Sequence, residues 1–103
     1  MREISITELQ NLKIGQAENA QAGTGCTVFL LGENGAPVGL DVRGGGPASR
    51  ESELLKPTAA AQVIHAILLG GGSAFGLDAA GGVMRYLEER GIGFDVGVTK
   101  VPL

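Results

Sequence analysis

Residues 63–91 read VIHAILLGGGSAFGLDAAGGVMRYLEERG, and the fold class turns on how this stretch divides. Val63–Leu69 is short, apolar and rich in branched side chains, the composition of a buried strand, whereas from Ser73 to Arg90 the apolar residues return at helical spacing. Leu77, Ala80, Met84 and Leu87 fall at steps of three, four and three. Asp78, Arg85, Glu88 and Glu89 lie on or near the opposite side, so the predicted helix has one dry face. Ser73 is placed to cap the first turn by accepting from a free amide. Gly91 is placed to end the helix in the left-handed conformation, which costs glycine no Cβ clash.

Gly70-Gly71-Gly72 joins the strand to the helix. At such a start the amides of Ser73, Ala74 and Phe75 lack helical partners and have the positive end of the dipole behind them, an arrangement suited to an anion or a developing oxyanion. The same glycines equally suit a tight turn that lets strand and helix approach closely. Named motifs do not decide between the two. A dinucleotide fingerprint counted from Gly70 and Gly72 needs glycine where Phe75 stands, and a phosphate loop needs lysine where Leu77 follows Gly76. A nucleophile elbow centred on Ser73 also fails at Phe75, so Ser73 reads as a cap and not as a nucleophile.

Glycine makes up 18 of the 103 residues, more than twice the usual ~7%, yet 44% of the chain is hydrophobic. The glycines therefore punctuate apolar runs and do not replace them, which sets the chain apart from a disordered linker. At this length it is at most one domain with a small core. A net charge of −3 with eight scattered Lys and Arg argues against a nucleic-acid groove, and three Phe with one Tyr are too few for a base-stacking platform. The longest apolar run is broken by His65 and three glycines well before the ~20 residues of a membrane span, so no membrane partner is expected. Cys26 is the single cysteine, and with no long apolar leader in MREISITELQ the expected compartment is the cytoplasm. No cation neighbours Cys26 in sequence, so it reads as a small buried thiol within Thr24–Leu31.

Ser5-Ile6-Thr7-Glu8 has the capping-box pattern of a helical turn. Lys13–Gly15 reads as a short strand and Glu18–Gly25 as a loop. Thr27–Leu31 is a β-rich run, and Ala36–Val42 alternates with Val38, Leu40 and Val42 on one face; between them Gly32-Glu33-Asn34-Gly35 predicts a hairpin. The glycine-rich stretch Arg43–Glu51 is a loop whose arginines either brace a neighbouring segment or bind a carboxylate. Glu53-Leu54-Leu55 begins a helical turn that Pro57 stops, and Thr58–Gln62 is an alanine-rich turn. His65, the only histidine, reads as a hydrogen-bonded core or edge residue, since no second ligand side chain stands at a motif spacing; no metal site and no cofactor are predicted. Gly81-Gly82 costs the helix roughly 1 kcal/mol per glycine, which predicts a closely packed neighbour such as a facing helix. Beyond Gly91, Ile92-Gly93-Phe94 and Val98–Leu103 read as extended segments.

Several stretches resemble one family. TGCTVFLL, GLDVRGGGPASRESELL, IHAILLGGGSAFGLDAAGGVMRYLEERGIGF and the closing VPL are similar to the N-terminal part of the DmpA-type L-aminopeptidase/D-esterase family, which includes the β-peptidyl aminopeptidases. The resemblance spans nearly the whole chain in order. Gln16 stands where the family often has His, Cys26 where it often has Val, and Gly46-Pro47-Ala48-Ser49 replaces an Ala-Pro-Gly-Thr run, so any role for Gln16 is weakened. The resemblance implies an α/β fold, a layered α/β sandwich like that of N-terminal-nucleophile hydrolases, of which residues 1–103 are the N-terminal portion of a single domain.

It further implies a precursor that cuts itself before a serine, which becomes both nucleophile and free α-amino terminus of a second chain. The nucleophile and its asparagine partner would lie beyond these residues, leaving no catalytic residue here and making the C-terminal remainder of the precursor the partner. Substrates would be small peptides, amides or esters, and the enzyme a homo-oligomer. Gly71, Gly72 and Ser73 are then the candidate substrate-binding residues. Two further readings stay open: a non-enzymatic α/β module that binds a small anion at the Gly70–Ser73 helix N-terminus, and a subunit that lends surfaces to a partner.

Overall fold

A computed structural model describes residues 1–103. Its centre is a three-stranded antiparallel sheet of β1 (Lys13–Asn19), β2 (Thr24–Leu30) and β3 (Ala66–Gly70), in that spatial order. Helix α1 (Ala80–Glu88) follows, and β4 (Phe94–Asp95) with β5 (Lys100–Val101) forms a second, two-stranded ribbon. The chain is thus a small mixed α/β unit with antiparallel sheets, and none of its helices is long and apolar enough to cross a membrane.

The hairpin lies elsewhere than at the predicted Asn-Gly turn. β1 and β2 are joined by the short Ala20–Gly23 connection, with Asn19 opposite Thr24 and Lys13 opposite Leu30. Asn19 closes the turn by accepting from the Ala22 amide at 3.0 Å. β1 therefore runs four residues past the predicted Gly15, into the expected loop. Gly32–Gly35 does form a turn, with the Gly35 amide on the Gly32 carbonyl at 3.2 Å, but Pro37–Val42 makes no strand. A strand has only two edges. β1 occupies one edge of β2 and β3 the other, with Cys26 opposite Gly70 and Leu30 opposite Ala66. The chain leaving the turn has no free edge to return to, and it instead exchanges both backbone bonds between Ala36 and Ile64, on the line that continues β3.

Period-2 alternation divides the sheet. Cys26, Val28 and Leu30 stand opposite Gly70, Leu68 and Ala66 on the face that α1 covers, where Ala79, Val83 and Tyr86 approach them. Thr27 and Phe29 stand opposite Leu69 and Ile67 on the other face, which no layer covers; Leu69 is 58% exposed. β3 is therefore half-covered, not fully buried as its composition predicts. Only Ile64, His65, Leu87 and Pro102 are buried, and they gather where the approach to β3, the end of α1 and the end of β5 meet. The radius of gyration is 14.8 Å, against about 13 Å for a closed domain of this length. The unit is correspondingly open.

The predicted helix forms in two parts. Ser73–Ala79 winds as a 3-10 segment, and only Ala80–Glu88 is α-helical. Its C-terminus follows the sequence: Gly91 has φ 68°, its amide reaches the Glu88 carbonyl at 2.9 Å, and the Ile92 amide reaches Leu87 at 3.0 Å, the paired bonds of a Schellman ending. Arg90 adds a cation near the last carbonyls, donating to Tyr86 O at 2.9 Å and lying 3.5 Å from its ring centroid. No group of this chain comes near a Cβ at Gly81 or Gly82, so the close neighbour those glycines predict is not found within residues 1–103. The capping box holds, with the Glu8 carboxylate accepting from the Ser5 amide at 2.8 Å, and Ser52–Leu55 makes the expected turn before Pro57.

Candidate functional site

The strand-to-helix junction is tighter than its glycine count suggests. Gly72 has φ 92° and Ser73 has φ 58°, two consecutive left-handed residues like the centre of a type I′ turn. The turn folds Gly76 back onto Gly71 so closely that a Cβ at Gly76 would fall inside the shell of the Gly71 carbonyl oxygen. On its other side Gly71 meets the hairpin: a Cβ there would stand 2.8 Å from Thr24 Oγ1 and 3.2 Å from Gly25 O, and the Gly71 amide donates to that same carbonyl at 2.8 Å. Close approach of backbone accounts for Gly71 and Gly76 at these two contacts.

Ser73 is not the predicted cap. Gly72 occupies the cap position, and the Ser73 side chain makes no capping bond, because the left-handed backbone turns it out of reach of the following amides. The amides of Ser73, Ala74 and Phe75 donate to no group in the chain. Ser73 instead lines a cleft of about 300 Å³ between β3 and α1. Leu68, Leu77, Val83, Met84 and Leu87 give it apolar walls, and the Ser49-Arg50-Glu51 loop and Pro102-Leu103 close its sides. The three candidate residues are thus divided. Ser73 faces this cleft, Gly71 faces a shallower one with Gln16, Thr24, Cys26 and Leu69, and Gly72 forms the turn between them.

Sequence reading missed Glu51 as part of this site. Of the three residues other than glycine with positive φ, Asn11, Glu51 and Ser73, the last two both border the cleft, Glu51 at φ 64°. A left-handed Glu or Ser costs roughly 1–3 kcal/mol, and residues held so tend to collect at functional sites. The only available signal was the Arg43–Glu51 loop itself. Its arginines split in role: Arg43 pairs with Asp41 at 2.6 Å in solvent, a contact worth little, while Arg50 Nη2 reaches Met84 Sδ at 3.3 Å and braces the loop on α1. Gln16 donates to Thr27 Oγ1 at 3.2 Å on the uncovered sheet face, and Cys26 is half-buried as a free thiol on the covered one.

Residues 5–101 match the sequence profile of peptidase family S58. The chain belongs to peptidase family S58. Among similar sequences are an uncharacterized aminopeptidase of Mycobacterium bovis and one of Mycobacterium tuberculosis, each 41% identical over 106 residues, and one of Mycobacterium leprae at 40%. Each match covers 94% of this chain. The chain spans 31% of the length of the first two relatives and 29% of the third. Membership in family S58 disfavours the reading as a non-enzymatic anion-binding module.

Proposed function

We propose that this chain is scaffold and pocket wall of a self-processing serine-type aminopeptidase or esterase of the DmpA type, and that its nucleophile is carried by polypeptide outside these residues. The match to peptidase family S58 along residues 5–101, with relatives named as aminopeptidases, carries the reading. The open architecture supports it. An uncovered sheet face bearing Phe29, Ile67 and Leu69, with four buried residues in all, calls for a further layer, as a second sheet packed on the first would supply in a layered α/β sandwich. Residues 1–103 are then the N-terminal part of the domain.

In this scheme a serine hydroxyl on the remainder of the precursor attacks the carbonyl carbon of a small peptide, amide or ester while its free α-amino group takes the proton. The amine or alcohol leaves, and water releases the acyl group. This chain contributes the Gly71-Gly72-Ser73 turn to the substrate pocket, with Ser73 on the cleft itself and Gly71 and Gly72 shaping the turn that presents it, and the unpartnered amides of Ser73, Ala74 and Phe75 are donors available to a substrate oxygen. The assembled enzyme is a homo-oligomer that needs no cofactor. Expression of the complete reading frame followed by a denaturing gel tests the scheme: two bands from one gene, with hydrolysis of an aminoacyl p-nitroanilide, are expected. A single intact polypeptide without hydrolysis would refute it. Full activity in Gly72→Val would remove the junction from the pocket while leaving the self-cleavage reading standing.

A further inference from the structure

His65 is the one buried ionisable side chain, 4% exposed, and it is bound twice to the same residue. Its backbone amide donates to the Leu103 carbonyl at 2.7 Å, and its ring Nδ1 accepts from the Leu103 amide at 3.2 Å. Leu103 and the buried Pro102 form one wall of the cleft that Ser73 also lines. An imidazole accepts at Nδ1 only while that nitrogen keeps its lone pair; the doubly protonated ring is donor on both sides. We propose that His65 is a positioning residue that holds the Pro102–Leu103 wall of the cleft in place as a neutral ring, and that protonation releases this wall. The latch belongs to this chain's own backbone and does not depend on the proposed hydrolysis.

The surroundings favour the neutral ring. Burial pushes the His65 pKa below its ordinary 6.5; the Leu103 backbone carbonyl, which favours a protonated ring, acts in the opposite direction, and the positive charge of Lys100, on β5, adds to the lowering, while the Leu103 amide at Nδ1 favours the neutral ring. α1, whose Leu87 shares the buried cluster, carries Arg85 and Glu88 and is followed by Glu89, but Lys100 is the one charge that shifts His65. β2 continues to Leu31, whose amide donates to the His65 carbonyl at 3.0 Å, and the turn beyond ends at Ala36, paired with Ile64. With the folded pKa depressed, the released state binds the proton more readily. The latch is therefore fully present above pH 6.5 and is lost as pH falls through the folded pKa.

Hydrogen–deuterium exchange on the full-length protein, with rates corrected for intrinsic pH dependence, reads this directly. Protection of the Leu103 amide is expected to fall roughly tenfold between pH 7.5 and pH 5.5, with β2 peptides in the same digest unchanged. In His65→Asn the side-chain carbonyl takes the place of Nδ1 as a non-titrating acceptor, and protection is expected to be equal at the two pH values. Protection independent of pH in the unaltered protein would overturn the proposal, as would the same tenfold fall in His65→Asn or a loss of protection at both pH values in that variant. Where His65→Asn does not fold, the unaltered protein's profile decides alone, because a fall with its midpoint above pH 6.5 contradicts a depressed histidine.

Discussion

Ser73→Gly separates the two things Ser73 does. The residue holds a left-handed backbone at φ 58° and places a hydroxyl on the cleft. Left-handed geometry costs a residue with a Cβ about 1–2 kcal/mol, and glycine nothing. Glycine also has more freedom to lose on folding, which returns roughly 0.4–1 kcal/mol. The net expectation is a gain of about 0.5–1 kcal/mol, or a Tm rise of about 1–4 °C in a protein larger than a small domain. The hydroxyl has no partner within the chain, so its removal leaves no buried group unsatisfied. Its loss is felt only by whatever occupies the cleft. One neutral hydrogen bond to substrate is worth about 0.5–1.5 kcal/mol, which corresponds to roughly two- to tenfold in kcat/KM. The full-length Ser73→Gly protein is therefore expected to melt higher and hydrolyse an aminoacyl p-nitroanilide more slowly, whereas Ser73→Ala, which keeps the Cβ, is expected to hydrolyse as slowly without melting higher. Calorimetry and steady-state kinetics on the same preparations check both halves. A lower Tm for Ser73→Gly would refute the strain argument, and unchanged kcat/KM would refute the place of the hydroxyl in the substrate pocket.

Three further outcomes follow from the same geometry. Gly76→Ala puts a methyl against the Gly71 carbonyl, a backbone atom that cannot swing away, so soluble yield is expected to collapse or Tm to fall by several degrees; a normal melt would mean the junction is looser than described. At Gly82 helix propensity alone favours alanine by about 1 kcal/mol and nothing within residues 1–103 opposes it, yet under the proposed function Gly82→Ala is expected to lower the Tm of the full-length protein, because the pair is read as a packing site for a further layer. A rise in Tm would dismiss that neighbour. Residues 1–103 expressed alone are expected to aggregate or to unfold without cooperativity, since four buried residues set little burial against the ordering entropy of the chain; a sharp, reversible calorimetric transition of the monomer would contradict this.

Much of the local structure was legible because its causes lie within a few residues of each other. Ser5 and Glu8 meet across one turn, Gly91 needs only its own φ to end α1, and the apolar spacing of Leu77, Ala80, Met84 and Leu87 places them on one wall of the cleft whatever the rest of the chain does. The family was legible for a different reason: the GGSAFGLDAA stretch and its helix form a long ordered pattern, and residues 5–101 match peptidase family S58. The lone histidine, read as a hydrogen-bonded core or edge residue, is buried and bonded, though its partner 38 positions away was not legible.

Long-range competition decided the rest. The Asn34-Gly35 turn formed but made no hairpin, because β1 and β3 had already taken both edges of β2, and an edge can be used once. Ser73 lost its capping role to a turn whose handedness is set by the packing of Gly76 on Gly71 and of Gly71 on Gly25. Glu51 and Ser73, distant in sequence, came to one cleft only when the loop settled on α1 through Arg50 and Met84. By itself the sequence determined the turns at Ser5–Glu8 and Gly32–Gly35, the helix end at Gly91 and the family, since those depend on neighbours along the chain. Which strand edges pair and which strained residues share a pocket was settled only in three dimensions, where segments far apart compete for the same backbone groups.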